Sequence, residues 1–263
     1  MKKIVFTPNA KQEAFFHAQT RYVAYGGARG GGKSWAMRMK LILLALRYEG
    51  ISILLLRRTL GELRENHILP MTKILDGIAV YKESTKDFLF PNGSRIKLGY
   101  CDSESDVLQY QGQAYEVIGM EEATHFTYYQ YLCLTECNRI SGAMREPFTP
   151  RMYFTCNPGG VGNDWVKRLF VDRIYTENEK AEDYTFIKSL VYDNAYALYR
   201  AAISAEDAKA QSLNRVNADR SAPLGTEGDP NTALTQEQVE NMSPQAVKKN
   251  YNRILSSLKN WRL

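Results

Sequence analysis

Residues 25–34 read YGGARGGGKS: five glycines, an arginine and a lysine within ten positions. From Gly27 to Ser34 the spacing fits G-x-x-x-x-G-K-[ST], a pattern built to hold polyphosphate. The glycines let backbone N–H groups along Gly27, Ala28, Arg29, Gly30, Gly31 and Gly32 converge on phosphate oxygens. Lys33 is placed to reach the β- and γ-phosphates of a nucleotide such as ATP, and Ser34 to ligate Mg²⁺. The competing reading, a glycine-rich turn that binds nothing, loses ground because the loop follows an expected strand and opens an expected helix.

Such a loop needs acids at the end of another strand, one for the metal and one to orient water. VIGMEE supplies both after the buried run at residues 117–120, with Glu121 as metal-linked acid and Glu122 as base. Aspartate is usual at the first position, and glutamate reaches one methylene further. Thr155, Cys156 and Asn157, in TCNPGG, end a later strand in a turn-forming run and form a candidate γ-phosphate sensor; a plain turn is the competing reading. Gln12 precedes the first strand, where its amide could read adenine or simply face solvent. Arg29 admits two readings. Its cation either meets charge developing on the γ-phosphate, or faces outward to a neighbour or to DNA.

The elements that must position these groups alternate. RYVAY, ISILLLRR, YEVIGMEE, RMYFTC and YTFIKSLVY read as buried strands, and DFLFPNGSRIKLGY reads as a hairpin around Pro91, Asn92 and Gly93. A helix is expected over residues 35–48. This implies an α/β fold with a mostly parallel central sheet flanked by helices, ligands binding at the carboxyl ends of the strands.

After residue 196 the pattern stops. Residues 197–263 have few large apolar residues, loop-like SAPLGTEGDPN, and capping signals at Thr235 and Ser243. An apolar stripe of Val247, Tyr251, Ile254, Leu258 and Trp261 among basic residues predicts a short amphipathic C-terminal helix. Two domains are therefore expected: 1–196 and a linker or tail, 197–263.

The net charge of +5 permits nucleic-acid contact without requiring it. No signal sequence or membrane-length apolar run is present, so a soluble cytosolic protein is expected. Four cysteines lack zinc spacing and read as reduced thiols.

Taken in order, TPNAKQEAF, YGGARGGGKS, ILLLRRT, YQGQAYEVIGMEEATHF and TCNPGG resemble the ATPase domain of the large terminase subunit of tailed bacteriophages, the motor that packages DNA. The resemblance covers roughly three-quarters of the chain. It implies a P-loop ATPase of the additional-strand class using ATP and Mg²⁺, with Gln12 at adenine and Glu121 and Glu122 as the acidic pair. It further implies that Thr155, Cys156 and Asn157 couple hydrolysis to movement of double-stranded DNA, and that Arg29 acts on the γ-phosphate. Arg57, Arg58 and Arg139 remain other candidates for a ring neighbour or DNA. The implied partners are the portal protein and small terminase subunit, with a homo-oligomeric ring on the portal, in the cytoplasm of an infected bacterial host. In that family a nuclease domain follows the ATPase. The tail has no strand pattern to hold such a site, so DNA cutting is not expected; it is faintly similar to the C-terminal ends of phage scaffold or structural proteins. Two other readings stay open: a helicase-like DNA-dependent ATPase, and a truncated non-catalytic module that binds nucleotide and serves assembly.

Overall fold

The computed structural model describes residues 4–28, 30–144, 146–190 and 193. Arg29 and the expected tail, with its C-terminal helix, lie outside the described residues. The chain divides into two units, Met1–Ser189 and Leu190–Leu263, and every element below belongs to the first.

Short apolar runs bounded by glycine and polar residues form the strands, as their composition dictates. The sheet has eight strands in the order β3-β4-β5-β2-β6-β7-β1-β8. β1 (Tyr22–Gly27), β2 (Ser52–Arg57), β5 (Arg95–Tyr100), β6 (Val117–Met120), β7 (Arg151–Cys156) and β8 (Tyr184–Ser189) run parallel. β3 (Val80–Lys82) and β4 (Asp87–Leu89) extend one edge in antiparallel pairing. β4 and β5 make the expected hairpin, where Gly93 takes φ +79° and its N–H donates to the Phe90 carbonyl at 3.0 Å. β3 has no clear sequence signature, since Val80 is 69% exposed.

The period-2 geometry of strands sorts neighbours onto opposite faces. Ile53 and Leu55 join Val23, Tyr25, Met37, Leu41, Val117 and Tyr153 in one core. Leu54 and Leu56 join Ala24, Ile118, Met120, Phe154 and Trp165 in the other. The first core is covered by α1 (Ala10–His17) and α2 (Lys33–Arg47), together with α3 (Leu60–Leu63), a π-helical turn (Arg64–Ile68) and α4 (Leu69–Ile74). α5 (Tyr128–Cys137) and α6 (Asn163–Val166) contribute to the second. Close helix-on-sheet packing explains Gly119: a Cβ there would meet Met37 Sδ at 3.0 Å and Leu41 Cδ1 at 3.1 Å.

All four cysteines are free; Cys133 and Cys137 lie one turn apart on α5, and the Cys137 thiol donates to the Cys133 and Tyr110 carbonyls. No helix among the described residues is long and apolar enough to cross a membrane.

Candidate nucleotide-binding site

The carboxyl ends of β1, β6 and β7 meet beside the start of α2, so residues distant in sequence face one cleft. Its volume is about 570 Å³; the phosphate loop forms one wall and residues 157–160 another. Gly32, at φ +71°, is the N-cap of α2, which aims the unpaired amides of the helix start at the cleft. The loop is packed from behind by β8. Ala28 N–H donates to the Ser189 carbonyl at 3.0 Å, and the Ser189 hydroxyl donates to the Gly31 carbonyl at 3.3 Å. A Cβ on Gly27 would stand 2.1 Å from the Ser189 carbonyl oxygen, and φ there is +141°. The glycines thus also admit a neighbouring strand, and Ser189 is a supporting residue that sequence reasoning missed for want of any local signal.

Lys33 is buried. Its ammonium donates to the Ala28 carbonyl and, at 2.9 Å, to Asn157 Oδ1. Burial lowers its pKa from the ordinary lysine value, and the nearby Glu122 opposes that shift. The same Asn157 amide turns its Nδ2 to Glu122, donating to both carboxylate oxygens at 2.9 and 2.8 Å. One side chain therefore bridges the lysine of the phosphate loop and the second acid. Glu122 itself sits at φ +55°, ψ +53°, a left-handed conformation a glutamate adopts only under constraint. The Thr155 hydroxyl accepts its N–H at 3.1 Å, and Thr124 Oγ1 donates to the Asn157 carbonyl at 3.0 Å.

Glu121 follows β6 directly and is fully buried. Its Oε2 is held by Arg57 Nη1 and His67 Nε2, whereas Oε1 has no protein partner among the described residues. Burial works to raise its pKa, but the charges and hydrogen bonds of His67 and Arg57, helped by Ser34, win and bring it down to about 2. His67 was not singled out by sequence, because nothing near it in the chain marks it.

Gln12 lies on α1 beside the loop. Its carbonyl caps the helix by accepting Asn9 N–H at 2.9 Å, and its amide donates to the Gly32 carbonyl at 3.4 Å. Cys156, between Thr155 and Asn157, turns away into the core, where its Sγ fills the space beside Gly26 and burial pushes the thiol up to about 12. Arg57 lines the cleft, and Arg58 Nη1 donates to the His125 carbonyl at 3.2 Å. Arg139 instead donates to the Gly112 and Gln113 carbonyls and is absent from the cleft wall.

A parallel sheet in which one strand, β7, separates the phosphate-loop strand β1 from the acid-bearing strand β6 defines a P-loop NTPase fold of the additional-strand class. Within that class, the family model for the phage terminase large subunit matches residues 19–219, and the chain belongs to that family. The fold is similar to the large terminase of a thermophilic bacteriophage, with 17% identity and a TM-score of 0.58 over 72% of this chain and 47% of that one. The same thermophilic-phage protein in complex with ADP gives 16% identity and 0.55, covering 71% and 46%. The ATPase domain of the Thermus phage P74-26 large terminase gives 11% and 0.53, covering 76% and 87%. The chain spans about half the length of the first of these proteins. No curated protein matches by sequence.

Proposed function

We propose that the chain hydrolyses ATP with Mg²⁺ and that this hydrolysis drives double-stranded DNA into a viral procapsid. The observation that carries the reading is the Lys33–Asn157–Glu122 bridge, which joins the phosphate-binding cation to the base through the polar end of a third strand. In this reading Lys33 holds the β- and γ-phosphates of ATP, the substrate, while Glu122 accepts a proton from the water that attacks the γ-phosphorus. A γ-phosphate competes with Asn157 for Lys33, so its arrival and departure move the loop that Thr155 and Asn157 anchor. That is a physical route from hydrolysis to DNA movement. Arg29 acts on the γ-phosphate, and Gln12 stands on the adenine side. The ADP complex of the thermophilic-phage terminase supports nucleotide as the ligand.

Mg²⁺ fits the residues present. Among the described residues Glu121 Oε1 is buried with no hydrogen-bond partner, and the Ser34 hydroxyl hydrogen-bonds the same carboxylate, so two hard oxygen donors suited to this ion are close together. When bound, Mg²⁺ neutralises charge on the phosphate oxygens. Residues 1–196 form the catalytic domain, followed by a linker or tail at 197–263. The chain's partners are the portal and the small terminase subunit, with rings of this chain assembling on the portal in the host cytoplasm.

The test is ATP turnover by the full chain and by Glu122→Gln, with and without duplex DNA. The expected result is turnover raised by duplex DNA and lost in the variant, with ATP binding retained. Equal turnover in both proteins sinks the reading, and dependence on single strands with unwinding replaces it by a helicase-like one.

A further inference from the structure

We infer that His67 is a positioning residue for Glu121, and that a glutamate works at this metal-linked position because His67 holds it. The inference rests on Glu121 being the metal-linked acid proposed above. Glutamate has one more rotatable bond than aspartate, so a carboxylate that must meet a metal in one place needs an added restraint. The structure supplies it on one oxygen only. His67 Nε2 donates to Oε2, the oxygen that Arg57 also holds, and Oε1 is left buried and without a hydrogen-bond partner among the described residues.

Of the two restraints, Arg57 is shared, since its Nε also pairs with Glu62 at 3.3 Å. His67 is devoted to Glu121: it is fully buried, and its Nδ1 has no partner among the described residues. A histidine buried with one nitrogen unsatisfied costs stability, which points to a role for the other.

His67 is aimed by local structure that is itself braced. It lies in the π-helical turn Arg64–Ile68, where the wider winding changes the direction of side chains relative to α3 and α4. Asn66 Nδ2 donates to the Glu62 carbonyl at 2.9 Å, and Arg38 of α2 donates to the Asn66 carbonyl. α2 is the helix that begins with Lys33 and Ser34, so this brace ties His67 to the element carrying the phosphate loop. Aspartate at position 121 would fall one methylene short of this arrangement.

The experiment measures Mn²⁺ binding to the full chain with ADP by electron paramagnetic resonance, beside metal-free ADP binding and thermal unfolding. His67→Ala is expected to weaken Mn²⁺ by about 10–100-fold, the usual cost of losing a group that orients a metal ligand. Metal-free ADP binding stays within about twofold of wild type. His67→Gln, whose amide N–H can still donate, restores most of the loss. Glu121→Asp weakens Mn²⁺ comparably, and adding His67→Ala to it costs little more, because the contact is already gone. Unchanged Mn²⁺ affinity in His67→Ala, or fully additive losses in the double variant, overturns the inference. If His67→Ala does not fold, His67→Gln and Glu121→Asp carry the comparison: wild-type affinity in Glu121→Asp overturns it. Glu121→Ala separates the two levels. If that variant binds Mn²⁺ like the wild type, the metal-linked reading of Glu121 fails first.

Discussion

Strand β6 is flanked by two fully buried glutamates, and they are treated differently. Glu116, at its start, has Oε2 accepting Ser52 N–H at 2.8 Å and Oε1 accepting Ser141 N–H, so both oxygens are occupied by backbone amides. Glu121, just past its end, has one oxygen held by Arg57 and His67 and the other without a partner among the described residues. A buried carboxylate with both oxygens satisfied ties strands and loops together. One with an oxygen kept back is ready for a ligand, at a cost the fold must offset elsewhere. The two ends of one strand thus differ, and the oxygen kept back lies at the carboxyl end, where a parallel sheet binds its ligands.

The strongest challenge to this division is at the carboxyl end. Glu122→Gln should lower ATP turnover by about 10²–10⁴ while leaving the urea midpoint close to wild type, since a glutamine can still accept from Asn157. A large fall in stability instead would make Glu122 architectural and erase the contrast. At the other end, Glu116→Ala should cost about 1–3 kcal/mol for each orphaned amide in urea unfolding, with turnover per folded molecule unchanged. Turnover collapsing as in Glu122→Gln would break the comparison from that side.

Gly160→Ala sharpens it by testing the loop that presents Asn157. Its φ of +99° and the Thr124 carbonyl 2.4 Å from an added Cβ predict strain of about 1–3 kcal/mol and weaker nucleotide binding, read by unfolding and ADP titration together. The smallest effect is expected far from the site, at Glu179. Its hydrogen bonds from Arg168, together with the Thr176 amide, overcome partial burial and hold it at about 2, below the ordinary 4.5. A depressed folded value means that its stabilisation is present above pH 4.5 and fades as pH falls toward 2. Glu179→Gln should flatten the urea midpoint over that window and leave turnover at neutral pH unchanged.

Much of the fold was legible because parallel strands covered on both faces must be apolar along their whole length. ISILLLRR and RMYFTC therefore announce themselves, whereas β3 does not, being short, exposed and stabilised by pairing with β4. The candidate site was legible in proportion to how local its logic is. Lys33 and Ser34 are marked by loop spacing, and Glu121 and Glu122 by standing at the end of an apolar run. Cys156 stands between two residues that face the site and yet packs into the core, because strand alternation sends it to the other side.

The sequence by itself therefore determined the parallel α/β scaffold and marked the candidate phosphate loop and acid pair, since the signals for each lie in contiguous residues. Only the tertiary structure decided what surrounds them. Ser189 supports the loop from 158 residues beyond Gly31, Asn157 joins Lys33 to Glu122 across two strand ends, and His67 meets Glu121 across 54 positions. Those contacts arise from strand order and from one π-helical turn. Neither leaves a periodic or compositional trace, because each depends on which segments become neighbours and not on what any segment prefers alone.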